Sequence, residues 1–422
     1  MPPRELPLRP DLDQLKHQAK DLLRAILDRD PDAIATLGAH HPEQIDPANV
    51  KLADAQLTVA RKYGAASWPR LVQCCEIIDA IWRDDIDALR RVVSRNPHLL
   101  HDNALVRPSN WGPPMSYAAN LGRDAMIRML HDLGARDHRS AIDRATLQGK
   151  IETARLLHAL AGAPRLPNDA LGGPAYTLSA SGTALVFELG GRAVDDAGNR
   201  LAPVDVVLET DSRKPNEKHT ILEMYVQHGV ELPDTPTMAV HRGRIDLLER
   251  HLHRDPGLLR RTFGIHEIYP SELGCSRDEV LATHGTPLNG ATLLHMAIDY
   301  DEMEIARWLL AHGMDVDARA AVDVDGFGGH TPLFATVVSQ PNFWMNHQNR
   351  PQLAPFTELL LEHGANPNAR ASLRKQLHPG YGPDTVHEYR DVTPLGWGEH
   401  FHRQIFVSKP AMEMIAAAGG KW

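Results

Sequence analysis

The chain has 422 residues, 42% of them hydrophobic and 23% charged, with a formal net charge of −9 from 45 basic and 54 acidic side chains. No positive surplus exists to displace counterions from a phosphate backbone, so nucleic acid is not an expected partner. Cys74, Cys75 and Cys275 cannot build a disulfide framework, no Cys/His spacing suits zinc, and no stretch approaches 18 apolar residues; the start also lacks the apolar run of a leader. The chain therefore reads as a cytoplasmic protein with no membrane contact, no metal and no cofactor.

Residues 1–9 are proline-rich and extended. From Asp11 a stripe of Leu12, Leu15, Ala19, Leu22, Leu23, Ile26 and Leu27 predicts a helix ending before Asp30-Pro31. Shorter helices are expected over 32–37 and 47–62, the latter closed by Gly64, and a fourth starts near Ser67 with Trp68, Leu71, Val72, Cys75, Ile78 and Ile81. Two segments then share one pattern: 87–100 and 246–259 are amphipathic helices each closed by a proline, Pro97 and Pro256.

The clearest unit is 290–319. Thr292 precedes a short apolar helix (Leu293, Leu294, Ala297), and Asp301 starts the turn to a second helix carrying Ile305, Leu309 and Leu310. Gly313 ends that helix as a left-handed residue. The pattern returns at Thr331-Pro332 with 357–369, and at Thr393-Pro394 with 412–419, where proline sits at the first helical position and its missing N–H costs nothing. Weaker copies cover 114–135, 141–163, 202–232 and 235–259. One such pair cannot bury its own apolar face and must stack on neighbours.

This unit resembles an ankyrin repeat, and about eight helix pairs, the first degenerate, fill 77–422. The resemblance implies an all-α, ankyrin-type helical solenoid with long inserted fingers. Residues 1–76 resemble the helical segment that precedes such arrays in some bacterial proteins, notably in 53–64 and 67–71, and are expected to act as an N-terminal helical cap over the apolar end of the stack. Insertions relative to the roughly 33-residue ankyrin period fall near 164–200, 260–289, 340–354 and 371–390. Thr183 to Leu189 reads equally as helix or strand.

Histidine is the commonest candidate for chemistry, with 24 copies. His295 falls where ankyrin repeats use histidine to tie down the first turn, and His312 and His363 stand before helix-ending glycines, where a cation suits the dipole. In His400-Phe-His402 a helix would point the two rings apart. The loop from Asp323 to His330 opens like a calcium loop but lacks its later ligands, and reads as a finger tip.

In the ankyrin register the first helix of each pair lines the concave face, and its binding positions follow the capped turn. They include Tyr117, Arg144, Glu209, Met238, His241, Arg242, Met296, Asp299, Tyr300, Val338, Trp397 and His400. Two functions fit this row. The favoured one is a protein-binding scaffold whose concave groove and fingers hold a partner by aromatic and Arg anchors. The other is a small-molecule or enzymatic site under the 260–289 finger. There His241 would act as base, with Asp299 orienting it and Tyr300 and Glu209 as further acid–base or binding groups. The finger from Thr262 to Pro270 is too apolar for a linker, so Phe263, Ile268, Tyr269 and Leu273 are expected to wall a cleft, with Tyr381 and Tyr389 doing the same from another finger. His266 and Glu267 would reach in from the roof. The competing reading is that the fingers pack down as cover and leave no cavity.

Overall fold

The computed structural model describes residues 6–106, 109–275, 285–351, 353–376 and 385–422; Tyr381 lies outside them. The chain forms two compact units, 1–166 and 167–422, each a stack of helix pairs in the expected all-α, ankyrin-type arrangement, and 56% of the described residues are helical.

In the first unit, side chains fix where helices begin. Asp11 accepts from the Asp13 and Gln14 N–H groups at the start of α1 (Leu12–Leu27), and Asp30 does the same, ahead of Pro31, for α2 (Pro31–His40). α3 (Leu52–Lys62) packs on both, and on α4 (Trp68–Arg83), which Ser67 caps. The boundary expected after residue 76 falls inside α4. That helix cannot be divided between a cap and an array, because it also pairs with α5 (Ile86–Arg95) and stacks on α6 (Pro114–Leu121). The α6 pair is completed by α7 (Asp124–Asp132), and α8 (His138–Leu147) with α9 (Ile151–Leu160) forms the next layer.

The second unit opens with α10 (Gly172–Tyr176) and α11 (Ala180–Glu188). The ambiguous 183–189 segment is therefore helical. Moreover, the insertion is itself a helix pair, packed against α12 (Val204–Glu209) and α13 (Pro215–Gln227). Then come α14 (Pro236–His241) with α15 (Ile245–Arg254), the finger helix α16 (Ile265–Ile268), and α17 (Leu293–Asp299) with α18 (Met303–Ala311). In the next pair, α19 (Pro332–Val337) and α21 (Pro355–Glu362) are separated by an added helix, α20 (Gln340–His347), which is the content of the third insertion. α22 (Pro394–His400) and α23 (Lys409–Ala417) complete the stack. The described residues thus hold nine pairs, one more than the sequence repeats suggest.

Among the described residues the fourth insertion holds the two-stranded sheet. β1 (Ala371–Lys375) and β2 (His387–Val392) form an antiparallel ladder, with Leu373 opposite Tyr389. A bridge from Gly328 to Ser372 joins the neighbouring finger to it. Only glycine suits position 328: its φ is +120°, and a Cβ there would sit 2.0 Å from the Ala321 carbonyl oxygen.

The expectation for His295 can be followed to atoms. Its Nδ1 meets the Thr292 hydroxyl at 2.8 Å and the Thr292 N–H at 3.3 Å, while Nε2 lies 3.2 Å from the His330 carbonyl oxygen. The ring thus ties the start of α17 to the start of the next pair. Replacing His295 by Ala is expected to lower unfolding free energy by about 1–2 kcal/mol through buried groups left unpaired. Urea melts of the two proteins measure this, and equal midpoints would assign the ring another role.

Candidate functional site

The first helices of the second unit deliver Met238 and His241 from α14, Met296 and Asp299 from α17 with Tyr300 just after it, Val338 after α19, and Trp397 from α22. Each is at most 3% exposed. The expected open row is therefore a buried one, and its cover is the chain's own second insertion. Residues 260–275 lie over α14 and α17: Thr237 Oγ1 donates to the Glu267 carbonyl, His241 Nε2 meets the Ile268 carbonyl oxygen at 2.9 Å, and the Tyr269 and Tyr300 hydroxyls bond each other. Residues 285–288 then run across α19 and α22. The Thr286 N–H donates to the Val338 carbonyl at 3.1 Å, and Trp397 Nε1 donates to Thr286 Oγ1 at 3.1 Å. Apolar Phe263, Ile268, Tyr269 and Leu273 are each 2% exposed or less. They face down onto the helices, and Phe263 also borders an open cleft beside the finger.

Beneath this cover sits a charged core. Arg213, in the turn between α12 and α13, grips Asp299 through Nη2 to the carboxylate at 2.9 Å and Nε to the carbonyl at 2.7 Å; the two side chains are 2% and 1% exposed. Lys218 on α13 pairs with Glu302 at 3.3 Å, and His219 meets the same carboxylate at 2.8 Å. Tyr300 is the hub. Arg213 and Lys218 lie 4.7 and 4.2 Å from its ring centroid, and the His241 ring packs edge-on at 4.8 Å. Burial, with Lys218 adding to it, holds the His241 pKa well below that of an ordinary imidazole. Burial raises that of Asp299, while Arg213, Lys375 and the Gln340 N–H pull the other way.

These contacts correct the expected acid–base pair. His241 and Asp299 do belong to one cluster around Tyr300, but the Asp299 carboxylate is held by Arg213, and the His241 ring is oriented by the Ile268 carbonyl. A carboxylate already engaged by a guanidinium at 2.9 Å is a poor orienter for a second group. Arg213 and Lys218 were missed because the register draws attention to first helices alone, whereas these residues come from a turn and a second helix. The sequence carries no clear signal for them, because α13 begins with the polar run Asn216 to Thr220, in which Lys218 does not stand out.

Other expected residues are scattered. In the first unit Tyr117 is fully buried, with its hydroxyl bonded to the Leu8 carbonyl and accepting from Trp82 Nε1 at 3.4 Å. Arg144, 7% exposed, donates from Nε to Asn120 Oδ1 at 2.8 Å and lies over Trp111. Arg242 bonds Glu223 at 2.7 Å, and Glu209 is half-buried at the end of α12. His266 and Glu267 point outward from the finger, where Glu267 meets Arg261 and the Gly264 N–H; neither reaches the row. His400 is exposed, and His402 instead bonds the Tyr389 hydroxyl at 2.7 Å. Asp323 and Asp325 are paired with Arg374, at 2.8 and 2.9 Å. Among the described residues no group of three or more His, Cys, Asp or Glu side chains is placed to hold a metal ion, and no helix is long and apolar enough to cross a membrane.

Within this second unit, residues 289–321, which contain the Thr292, His295 and Gly313 framework together with Asp299 and Tyr300, match the family model of the ankyrin repeat. The chain carries an ankyrin repeat. A solved structure similar to the chain is the human ASB11 ankyrin repeat domain, at 14% identity over 73% of this chain and 99% of that one, with a TM-score of 0.27. Comparison with curated proteins finds no match.

Open surface near this repeat lies at its fingers. A cleft of about 310 Å³ is lined by Thr262, Asn289, Val322, Phe327, Leu373 and Arg374. Beside it Val322 is 61% exposed and Val324 fully exposed. A second cleft, of about 420 Å³, flanks the 260–275 finger between His251, Arg254, Arg261 and His266, with none of the inner-row residues in its wall.

Proposed function

We propose that the protein binds a partner protein and does so with its finger edge instead of its first-helix row. Ankyrin repeats are general protein–protein interaction modules, which supports partner binding at that level. The observation that favours the finger edge is the pairing of two solvent-exposed valines, Val322 and Val324, with the adjoining 310 Å³ cleft. Apolar side chains of this kind at a loop tip gain nothing in water, yet they suit the centre of an interface ringed by Arg374, Asp323 and Thr262. The row of Met238, His241, Asp299, Tyr300 and Trp397 has its partner already, in residues 263–275 and 285–288. The acid–base reading has less support, because the groups it needs are engaged with Arg213 and with a backbone carbonyl.

The test is the double variant Val322→Asp/Val324→Asp beside His400→Ala as a surface control. Partners captured by the parent protein are purified and titrated against all three. The tip variant is expected to bind at least about tenfold more weakly, equivalent to about 1.4 kcal/mol, with an unchanged melting temperature, while the control binds as the parent does. A partner that keeps full affinity for the tip variant would place the interface elsewhere.

A further inference from the structure

The third insertion builds a cleft that neither the ankyrin register nor the finger edge accounts for. An ordinary pair would turn directly from α19 into α21. Here α20 is added before α21, and the gap between α20, residues 350 and 353–354, and α21 remains open as a cleft of about 220 Å³. That is below the roughly 300–1,000 Å³ of drug-sized sites and suits a molecule the size of an amino acid.

Its walls divide by chemistry. Ile298, Trp344, Met345, Leu353 and Phe356 give an apolar side, and Leu353 is 66% exposed, a large side chain kept at an open edge. The Trp344 indole is fixed by its Nε1 donating to the Asp211 carbonyl at 2.6 Å, so this wall is preformed. On the polar side stand Asp301 and Arg350. Both are exposed, and among the described residues neither side chain makes a hydrogen bond or ion pair, although Arg213 acts on Asp301 through its charge. Arg213, which also borders the cleft, is by contrast committed to Asp299 and to the Thr210 and Ser212 carbonyls. Deeper in, Thr357 is fully buried, and its hydroxyl has no hydrogen-bond partner. A buried hydroxyl left unpaired is unfavourable unless something else meets it. Asp301 holds a left-handed backbone, φ +61°, which places a carboxylate at the mouth by way of a conformation costly for most residues.

We propose that this cleft binds a free amino acid with an apolar side chain: the ammonium at Asp301, the carboxylate at Arg350, and the side chain against Trp344, Met345 and Phe356, within reach of the Thr357 hydroxyl. Two opposite charges that share one small cleft without neutralising each other complement a zwitterion, and a ligand lacking either charge would leave one of them unanswered. The site is independent of the finger edge, since it shares no lining residue with the cleft beside Val322.

Thermal shift and titration calorimetry on the full chain test this with L-leucine, L-methionine and L-phenylalanine, and with N-acetyl-L-phenylalanine and L-phenylalanine amide. At least one free amino acid is expected to raise the melting temperature at millimolar concentration, and both blocked forms to bind at least about tenfold more weakly. Asp301→Asn, which tolerates the left-handed backbone, and Arg350→Gln are each expected to weaken the free amino acid by a similar factor, with the first melting no lower and the second like the parent without ligand. No shift with any of the three amino acids overturns the proposal. So does equal binding of the blocked forms, which would leave a purely apolar anchor site, and so does parent-like binding by both variants.

Discussion

Lowering the pH from 7 to 5 is expected to destabilise the protein. His241, His295 and His330 are each at most 1% exposed. Burial pushes the first two well below an ordinary imidazole, helped by Lys218 and His330 respectively, and brings His330 down to about 4. In the unfolded chain all three return to about 6.5. The unfolded state therefore binds more protons below that value, so their contribution is fully present above pH 6.5 and is lost as pH falls through their folded values. At pH 5 His330, brought down to about 4, accounts for a loss of roughly 2 kcal/mol, from about 1.4 kcal/mol per pH unit, and His241 and His295 lose stability in the same direction. Two carboxylates work the other way. Asp299 is raised by burial, and Asp301 is raised to about 6 by burial and Glu302, so each adds stability as pH falls through its folded value toward 3.8. Three losses that begin at pH 6.5 outweigh two gains that begin only as pH falls through the carboxylates' folded values, and a few kcal/mol is a large share of a fold of about 5–15 kcal/mol. Urea titrations at pH 7.5, 6.5, 5.5 and 5 measure the slope; a flat profile between 6.5 and 5 would contradict the neutral burial of these rings.

Arg213→Met is expected to cost about 3–5 kcal/mol, the usual result of removing one member of a buried pair and stranding the other. Asp299 would be left beneath the finger without its guanidinium, with only Lys375 and the Gln340 N–H still favouring its charge, and the carbonyls of Thr210, Ser212 and Asp299 would lose the Arg213 donor. Asp299→Leu should cost a similar amount for the mirror-image reason. The double variant distinguishes a stranded charge from lost packing. With both charges gone its cost is expected to fall clearly short of the sum, since the partners are in direct contact. Additive costs would show that the two side chains act independently.

Much of this architecture is legible in the residues. Thr331-Pro332 and Thr393-Pro394 announce helix starts, Gly313, Gly364 and Gly419 announce ends, and each stands where the pattern places it, with φ near +85° at all three glycines. The α10/α11 pair escaped because Gly172 and Gly173 read as loop and the helix they open spans five residues. The β1–β2 hairpin escaped because its inward-facing set is Ala371, Leu373 and Lys375. A lysine in the buried phase of an alternating pattern breaks the signal, and here its side chain is 1% exposed. For the candidate site, periodicity finds which residues share the inner row but not whether the row faces water. That depends on a finger whose docking contacts, such as Thr286 with Trp397, join residues far apart in sequence and leave no periodic trace.

That same contact changes how the second unit can assemble. A plain repeat array is quasi-one-dimensional: each layer touches only its neighbours, so folding can start anywhere and a shortened array still folds. Here residues 285–288, emitted before the α17 pair, dock on Val338 and Trp397, which belong to layers one and two pairs further along. The segment gains its native contacts only after those layers exist, and the large loop this closes must be ordered first, which raises contact order and slows folding. The layers from α14 to α22 are thereby coupled into one cooperative block. A fragment ending before Trp397 would lose more than its last layer: it would uncover Thr286 and loosen the strap as far back as α14.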